Sequence, residues 1–232
     1  MVSRKELKAR AKAQLGGGIF TSRWLTALAV CLIASVIFAL CSLPGSFSTL
    51  VQNVKSLSSG SFENISISFS VGSGLGTVLL IVLTGPITYG KDRMFLKQAR
   101  DSEDMAFADL FKGFTEDLGG NILISLAATL FCFLWSLLFV IPGIVKAYAY
   151  SMAFYVKADH PDYDWKHCIN ESKRLTKGYK GALFVLDLSF IGWYIVGALC
   201  FGVGTFWVTP YAEATKAHFY QNLLIAQPQE TV

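Results

Sequence analysis

The residues best suited to metal chemistry form one short acidic and histidine-containing stretch. They are Asp159, His160, Asp162, Asp164 and His167. Carboxylate and imidazole groups this close together can bind a divalent cation. Pro161, together with Asp164 at the start of a helical pattern, explains the same residues as a loop followed by a helix cap. We therefore expect no metal and no cofactor.

Sequence patterns of common catalytic sites are missing. The chain has no HExxH, GxSxG or zinc-ribbon spacing, and the glycine-rich run at 72–76 lacks the lysine of a phosphate-binding loop. The five cysteines show no paired spacing, and four of them lie in apolar runs, where cysteine acts as a small hydrophobic residue. We expect a protein that is not an enzyme.

Four charged residues interrupt apolar segments, namely Lys146, Asp187, Glu213 and Lys216. A charge in lipid is costly and usually faces other helices or a watery cavity. Asp187 and Lys216 fall at the same depth on consecutive antiparallel helices, which predicts that they pair, and Glu213 is one turn from Lys216. Structural pairing and a substrate or proton pathway are both open interpretations.

The composition favours an integral membrane protein. Hydrophobic residues make up 53% of the 232 positions, charged residues only 16%, and the mean hydropathy is +0.48. A water-soluble protein of this size needs more charge on its surface, and a disordered one has fewer aliphatic and aromatic residues.

A membrane-spanning helix needs about 20 apolar residues. Six apolar runs approach this requirement: Trp24–Leu43, Phe69–Gly90, Ile122–Ile141, Gly143–Val156, Ala182–Leu199 and Val203–Phe219. The fourth run is short, and Pro142-Gly143 is expected to end the preceding helix. Its length alone leaves open whether it crosses the bilayer.

Basic residues decide the expected orientation. Of the 20 lysines and arginines, 17 lie before the first run, between the second and third, or between the fourth and fifth. The positive-inside rule places these segments and both termini in the cytoplasm, and a loop at about 44–70 outside. We expect a basic amphipathic segment at 1–20, a transmembrane domain at 21–224 and a cytoplasmic tail at 225–232. Alternating residues at 62–71 predict a short strand in the outer loop.

Amphipathic segments lie on the expected cytoplasmic side. Ser3 and Glu6 have capping-box spacing at the start of a predicted helix. The segment 104–114 places four apolar side chains on one side. The segment 164–177 is a third predicted helix, with Asp164 as its cap and Gly178 directly after it. The last of these carries candidates for binding anionic phospholipid head groups: Lys166, Lys173, Arg174, Lys177 and Lys180. Ordinary packing at the membrane surface is the alternative.

Several segments together resemble one bacterial family. GPITYG from Gly85, LLFVIPGIVKAYAYSMAFYVKAD, ESKRLTKGYKGALFVLDLSFIGW and FGVGTFWVTPYAEATKAHFY are similar to the integral-membrane family named domain of unknown function 975. The resemblance implies a multi-pass bacterial inner-membrane protein without an established activity, and it supplies no catalytic residues. Asp187 stands where an uncharged residue is expected.

The expected fold is all-α: a polytopic transmembrane helical bundle of about six spans, with short amphipathic interfacial helices and one extracytoplasmic loop. The first functional hypothesis is a non-enzymatic protein, a scaffold or envelope regulator, that binds inner-leaflet lipid, a membrane-protein partner or a second copy of itself. The alternative is a small permease that uses the polar residues of the last two spans. Nucleic acid is not an expected partner, because the basic residues are divided among membrane-flanking segments.

Overall fold

The computed structural model describes residues 3–17, 21–37, 74–101, 106–138, 140–199 and 203–227. Regular secondary structure within these ranges is α-helical throughout. The predicted outer loop at 44–70 and the predicted strand at 62–71 lie outside the described residues.

The helices follow one another in this order: α1 (Arg4–Gln14), α2 (Ser22–Ile37), α3 (Gly74–Asp101), α4 (Phe107–Leu110), α5 (Lys112–Thr115), α6 (Leu118–Leu138), α7 (Val140–Tyr150), α8 (Ala153–Asp159), α9 (Trp165–Leu175), α10 (Lys180–Leu199) and α11 (Val203–Ala226).

Within the residues that the structure describes, two helices are long and apolar enough to cross a membrane. They cover Leu118–Leu137 in α6 and Lys180–Gly197 in α10, and only 17% and 22% of their residues are buried inside the molecule. α2 is apolar but shorter. Length and composition thus support two candidate spans, and the six expected from the sequence are not established by this criterion.

The third and fourth apolar runs form a helical hairpin whose boundaries differ from the prediction. α6 ends at Leu138 and α7 begins at Val140, so Pro142 falls in the first turn of α7, where the missing N–H would have no helical partner. The fourth run is divided by a turn at 151–152, and α7 is only about 16 Å long. The chain nevertheless returns to the start of α6, because Lys157 Nζ lies 2.5 Å from Asp117 Oδ2.

The N-terminal helix α1 packs into the bundle. Ser3 caps it as predicted, and Leu7, Ala11 and Leu15 are buried. Lys8 Nζ donates to the Ser189 carbonyl at 3.3 Å and lies over the Phe190 ring. α1 therefore contacts protein along its apolar side, in addition to any contact that its basic face makes with lipid.

The segment predicted as one amphipathic stretch at 104–114 becomes the two short helices α4 and α5, within its described part. Leu110 is buried, whereas Phe107 and Phe111 are exposed. Gly90 and Gly113 touch the backbones of Leu110 and Pro86, so the contact with α3 is too close for a Cβ atom. This close approach, together with the packing of Leu110 and Phe114 against Ile87 and Met94, holds the segment on α3.

Candidate functional site: a charged cavity between α3, α8, α10 and α11

A hydrogen-bonded ion pair joins α3 to α11. Lys91 Nζ donates to Glu213 Oε1 at 2.8 Å, and the two side chains are 20% and 16% exposed. Asp92 Oδ1 lies 3.7 Å from the same ammonium group. Lys91 thus faces two carboxylates and is within direct hydrogen-bond distance of one of them.

A second pair joins α10 to α11. Lys216 Nζ lies 3.8 Å from Asp187 Oδ1, so the pairing predicted for consecutive antiparallel helices is present. The distance exceeds that of a direct hydrogen bond. Each side chain is about one-third exposed, 35% for Lys216 and 34% for Asp187. The Tyr148 hydroxyl of α7 interacts with the Asp187 carboxylate.

These two pairs line one cavity of about 160 Å³. The rest of its lining is formed by Asp92, Tyr148, Ser151, Met152, Tyr155 and Leu183. Tyr155 is 2% exposed, and its ring stacks on Tyr220 at a centroid distance of 5.4 Å. Its hydroxyl has no hydrogen-bond partner among the described residues. The cavity therefore has a buried side at Asp92 and Tyr155, and a more exposed side at Asp187 and Lys216.

The part of the chain that forms most of this cavity matches a known family. Residues 137–227 fit the family model described as "Protein of unknown function (DUF975)". The chain carries a DUF975 domain. No curated protein and no solved structure matches the chain. The DUF975 domain contains α7 to α11, whereas Lys91 and Asp92 come from α3, which precedes it.

The cavity contains three residues that the sequence singles out, and it also contains residues that sequence reasoning misses. Asp187, Glu213 and Lys216 all line the cavity. The sequence places Lys91 among the cytoplasmic basic residues, and nothing in it marks Asp92 or Tyr155 as site residues. One sequence offers no signal that separates a paired Lys91 from the other lysines that follow an apolar run.

Lys146, the fourth predicted residue, lies apart from the cavity lining. Its Nζ is 4.6 Å from the centre of the Trp135 ring. Lys173 Nζ of α9 lies 5.4 Å from the centre of the Tyr150 ring on the neighbouring helix α7. We call Trp135, Lys146, Tyr150 and Lys173 the lysine–aromatic patch. Burial lowers the pKa of Lys173, and the positive charge of Lys146 lowers it further.

The other lysines and arginine proposed for lipid have different surroundings. Arg174 donates hydrogen bonds of 2.8 and 2.6 Å from Nε and Nη2 to the Glu171 carboxylate, which holds its guanidinium group in place. Lys166 and Lys177 are exposed, and Lys180 is half-buried. The five residues thus do not form one continuous site.

Helix α9 carries three of these five residues. The other side of α9 is apolar and packs on the hairpin formed by α6 and α7. Cys168, Ile169, Ser172 and Leu175 are buried, and Ser172 Oγ donates to the Ala149 carbonyl at 2.8 Å. Gly178 has the positive φ predicted for the residue after the helix. Asp164 occupies the capping position, but its side chain makes no capping hydrogen bond.

The acidic and histidine-containing stretch takes part in packing. Asp159 accepts hydrogen bonds of 2.7 Å from both Arg100 and Tyr220, and the rings of His160 and His167 pack on Tyr163. Within the described ranges, no group of three His, Cys, Asp or Glu side chains could hold a metal ion.

Proposed function

We propose that the chain is a multi-pass bacterial inner-membrane protein, with both termini in the cytoplasm, that acts without catalysis by binding anionic phospholipid. A scaffold or envelope regulator would act in this way, alone or with a protein partner. The lysine–aromatic patch carries this proposal, because it places two ammonium groups beside aromatic rings on an apolar surface.

The apolar surface supports a membrane location. Large side chains on α6, α7 and α10 are widely exposed, among them Leu137, Ile141 and Leu199, each by more than 70%. Patches of this kind are rare on soluble monomers and suit contact with lipid chains. α7 and α8 together return the chain to the start of α6, where Lys157 contacts Asp117, and this return agrees with six membrane segments and with basic groups on one side.

The lysine–aromatic patch has the chemistry of a phosphate site. Lys146 and Lys173 are close enough to repel each other, and neither forms an ion pair with a carboxylate among the residues that the structure describes. A lipid phosphate between them would relieve this repulsion. Trp135 and Tyr150 are the residue types that concentrate at the level of lipid head groups.

Lipid binding is tested by substituting both lysines of the patch with glutamine. Lys146→Gln combined with Lys173→Gln should reduce the anionic phospholipid that co-purifies with the protein and its binding to added phosphatidylglycerol. The control combines Lys177→Gln with Lys180→Gln, which removes the same charge outside the patch. Equal losses in the two variants would show that general attraction to the membrane surface suffices.

The orientation is tested by labelling Asp162→Cys, an exposed position between α8 and α9. A membrane-impermeant thiol reagent should label it only after the cells are permeabilised. Labelling in intact cells would place this segment outside and reject the proposed orientation. The complementary position, Ser58→Cys in the predicted outer loop, should react in intact cells.

A small permease is the second candidate, and the charged cavity favours it. Several ionisable groups around a cavity in a helical bundle are a common feature of transport pathways. Uptake of radiolabelled glycine, a compact polar solute, into proteoliposomes tests this candidate. Asp187→Ala or Glu213→Ala should abolish uptake by a permease, whereas a scaffold would only be weakened and would show no uptake at all.

A further inference from the structure

The cavity contains carboxylates with unused hydrogen-bonding capacity. Lys91 Nζ donates a hydrogen bond to Glu213 at 2.8 Å, whereas Asp92 Oδ1 lies 3.7 Å from the same ammonium group, beyond direct hydrogen-bond distance. Asp187 lies 3.8 Å from Lys216. A carboxylate has about four acceptor positions, so Asp92 and Asp187 can both accept further hydrogen bonds from a bound group.

The same cavity contains unused donors. The Tyr155 hydroxyl has no partner in the described part of the chain, although it is almost fully buried. A buried polar group without a partner is destabilising, and such groups in native proteins call for an explanation. Lys216 has three N–H donors, and its nearest carboxylate lies beyond hydrogen-bond distance. An acceptor brought in by a ligand would satisfy both residues.

Charge limits the class of ligand. Two lysines and three carboxylates give the cavity a formal charge of −1, which disfavours a simple anion. A simple ammonium ion would leave Tyr155 and Lys216 without an acceptor. A metal ion is disfavoured, because no suitable group of three ligating side chains occurs in the described ranges.

We propose that the cavity binds a small zwitterion with one ammonium and one carboxylate group, the chemistry of an α-amino acid. The ammonium group lies against Asp92 and Asp187, and the carboxylate accepts hydrogen bonds from Tyr155 and Lys216. The volume of about 160 Å³ admits a compact solute of this kind. A zwitterion also adds no net charge to a partly buried site.

This inference names the substrate class of the permease candidate and rests on it for its physiological meaning. Binding to the purified protein and uptake into proteoliposomes are separate measurements. Binding without uptake would retain the site and reject the permease, whereas uptake without binding here would reject the site alone.

The probe is glycine, added to the purified full-length protein in detergent at constant pH and ionic strength. A ligand that binds only the folded state raises Tm, by about 3–6 °C at ten times Kd for a chain of this size. Glycine and L-alanine should give this saturable rise. Acetate and methylammonium, which each carry one of the two groups, should not.

Two variants place the effect in the cavity. Tyr155→Phe removes the unpartnered hydroxyl and retains a ring that can stack on Tyr220, so the rise should be lost. Asp92→Asn removes the buried negative charge and should also abolish it. Tyr220→Phe is the matched control, because its hydroxyl bonds to Asp159 and it does not line the cavity. The control should be less stable and still respond to glycine.

Three results would overturn the proposal. The first is no rise with either amino acid at any concentration up to 50 mM. The second is an equal rise with acetate or methylammonium. This comparison uses the unchanged protein, so it does not depend on whether a variant folds. The third is an undiminished rise in Tyr155→Phe, which would point to a general solute effect on stability.

Discussion

Lys91 and Glu213 form a 2.8 Å hydrogen-bonded ion pair although 122 positions separate them along the chain. Lys91 belongs to the helix that precedes the DUF975 domain, and Glu213 belongs to the last helix of that domain. The pair therefore fastens the matched domain to the rest of the bundle, and the cavity is incomplete without α3.

We predict that Lys91→Met and Glu213→Gln each destabilise the fold by about 2 kcal/mol, between the values for exposed and fully buried pairs. Each single change leaves one charge without its partner. The double variant should recover part of the loss. Denaturant or SDS titration of the purified protein measures all four species, and strictly additive losses would show that the pair contributes no coupling.

A weaker coupling is expected between Asp187 and Lys216. The two groups lie 3.8 Å apart and are one-third exposed, so solvent screens them. Asp187→Asn and Lys216→Met should each lower the thermal stability, with a coupling energy below about 1 kcal/mol. The same titration should rank this pair below Lys91–Glu213. The reverse order would contradict the screening of Asp187 and Lys216 by solvent.

Close packing of α3 predicts a strong effect of Gly90→Ala. A Cβ atom there would collide with the Leu110 backbone, which cannot move aside as a flexible side chain can. Overpacking of this kind costs about 1–3 kcal/mol or more. Gly192→Ala is the matched control, because nothing lies within 4 Å of the added atom and alanine favours a helix. Thermal unfolding in detergent should show a large loss for Gly90→Ala and none for Gly192→Ala.

The contact between Asp117 and Lys157 predicts acid sensitivity. The hydrogen bond from Lys157 lowers the pKa of Asp117 in the folded protein. The pair therefore stabilises the fold above the unfolded pKa of about 3.9, and this stabilisation is lost as the pH falls through the lower folded value. Tm should drop on acidification below about pH 4, and less steeply in Asp117→Asn.

The matched control for this pH dependence is Asp162→Asn, which neutralises an exposed carboxylate. Its acid profile should follow that of the unchanged protein. If Asp117→Asn followed the same curve too, another carboxylate would be responsible for the acid sensitivity.

Local sequence patterns predicted the local structure well where one helix was concerned. The cap at Ser3, the positive φ of Gly178 beyond the end of α9, and the starts of α10 and α11 follow from local hydrogen bonding and from the extent of the apolar runs. The same reasoning misplaced the boundary between α6 and α7, because proline is tolerated in the first turn of a helix as well as between helices.

By itself, the sequence determined that the chain is apolar, helical and asymmetric in its charges, and it paired Asp187 with Lys216 because those residues lie on consecutive helices. Only the tertiary structure decided that Lys91 reaches Glu213, that Asp92 and Tyr155 face the same cavity, and that Lys146 belongs to a different surface. Those contacts join helices far apart in the chain, and their geometry depends on how the helices pack. No periodicity or spacing within a single segment records that packing.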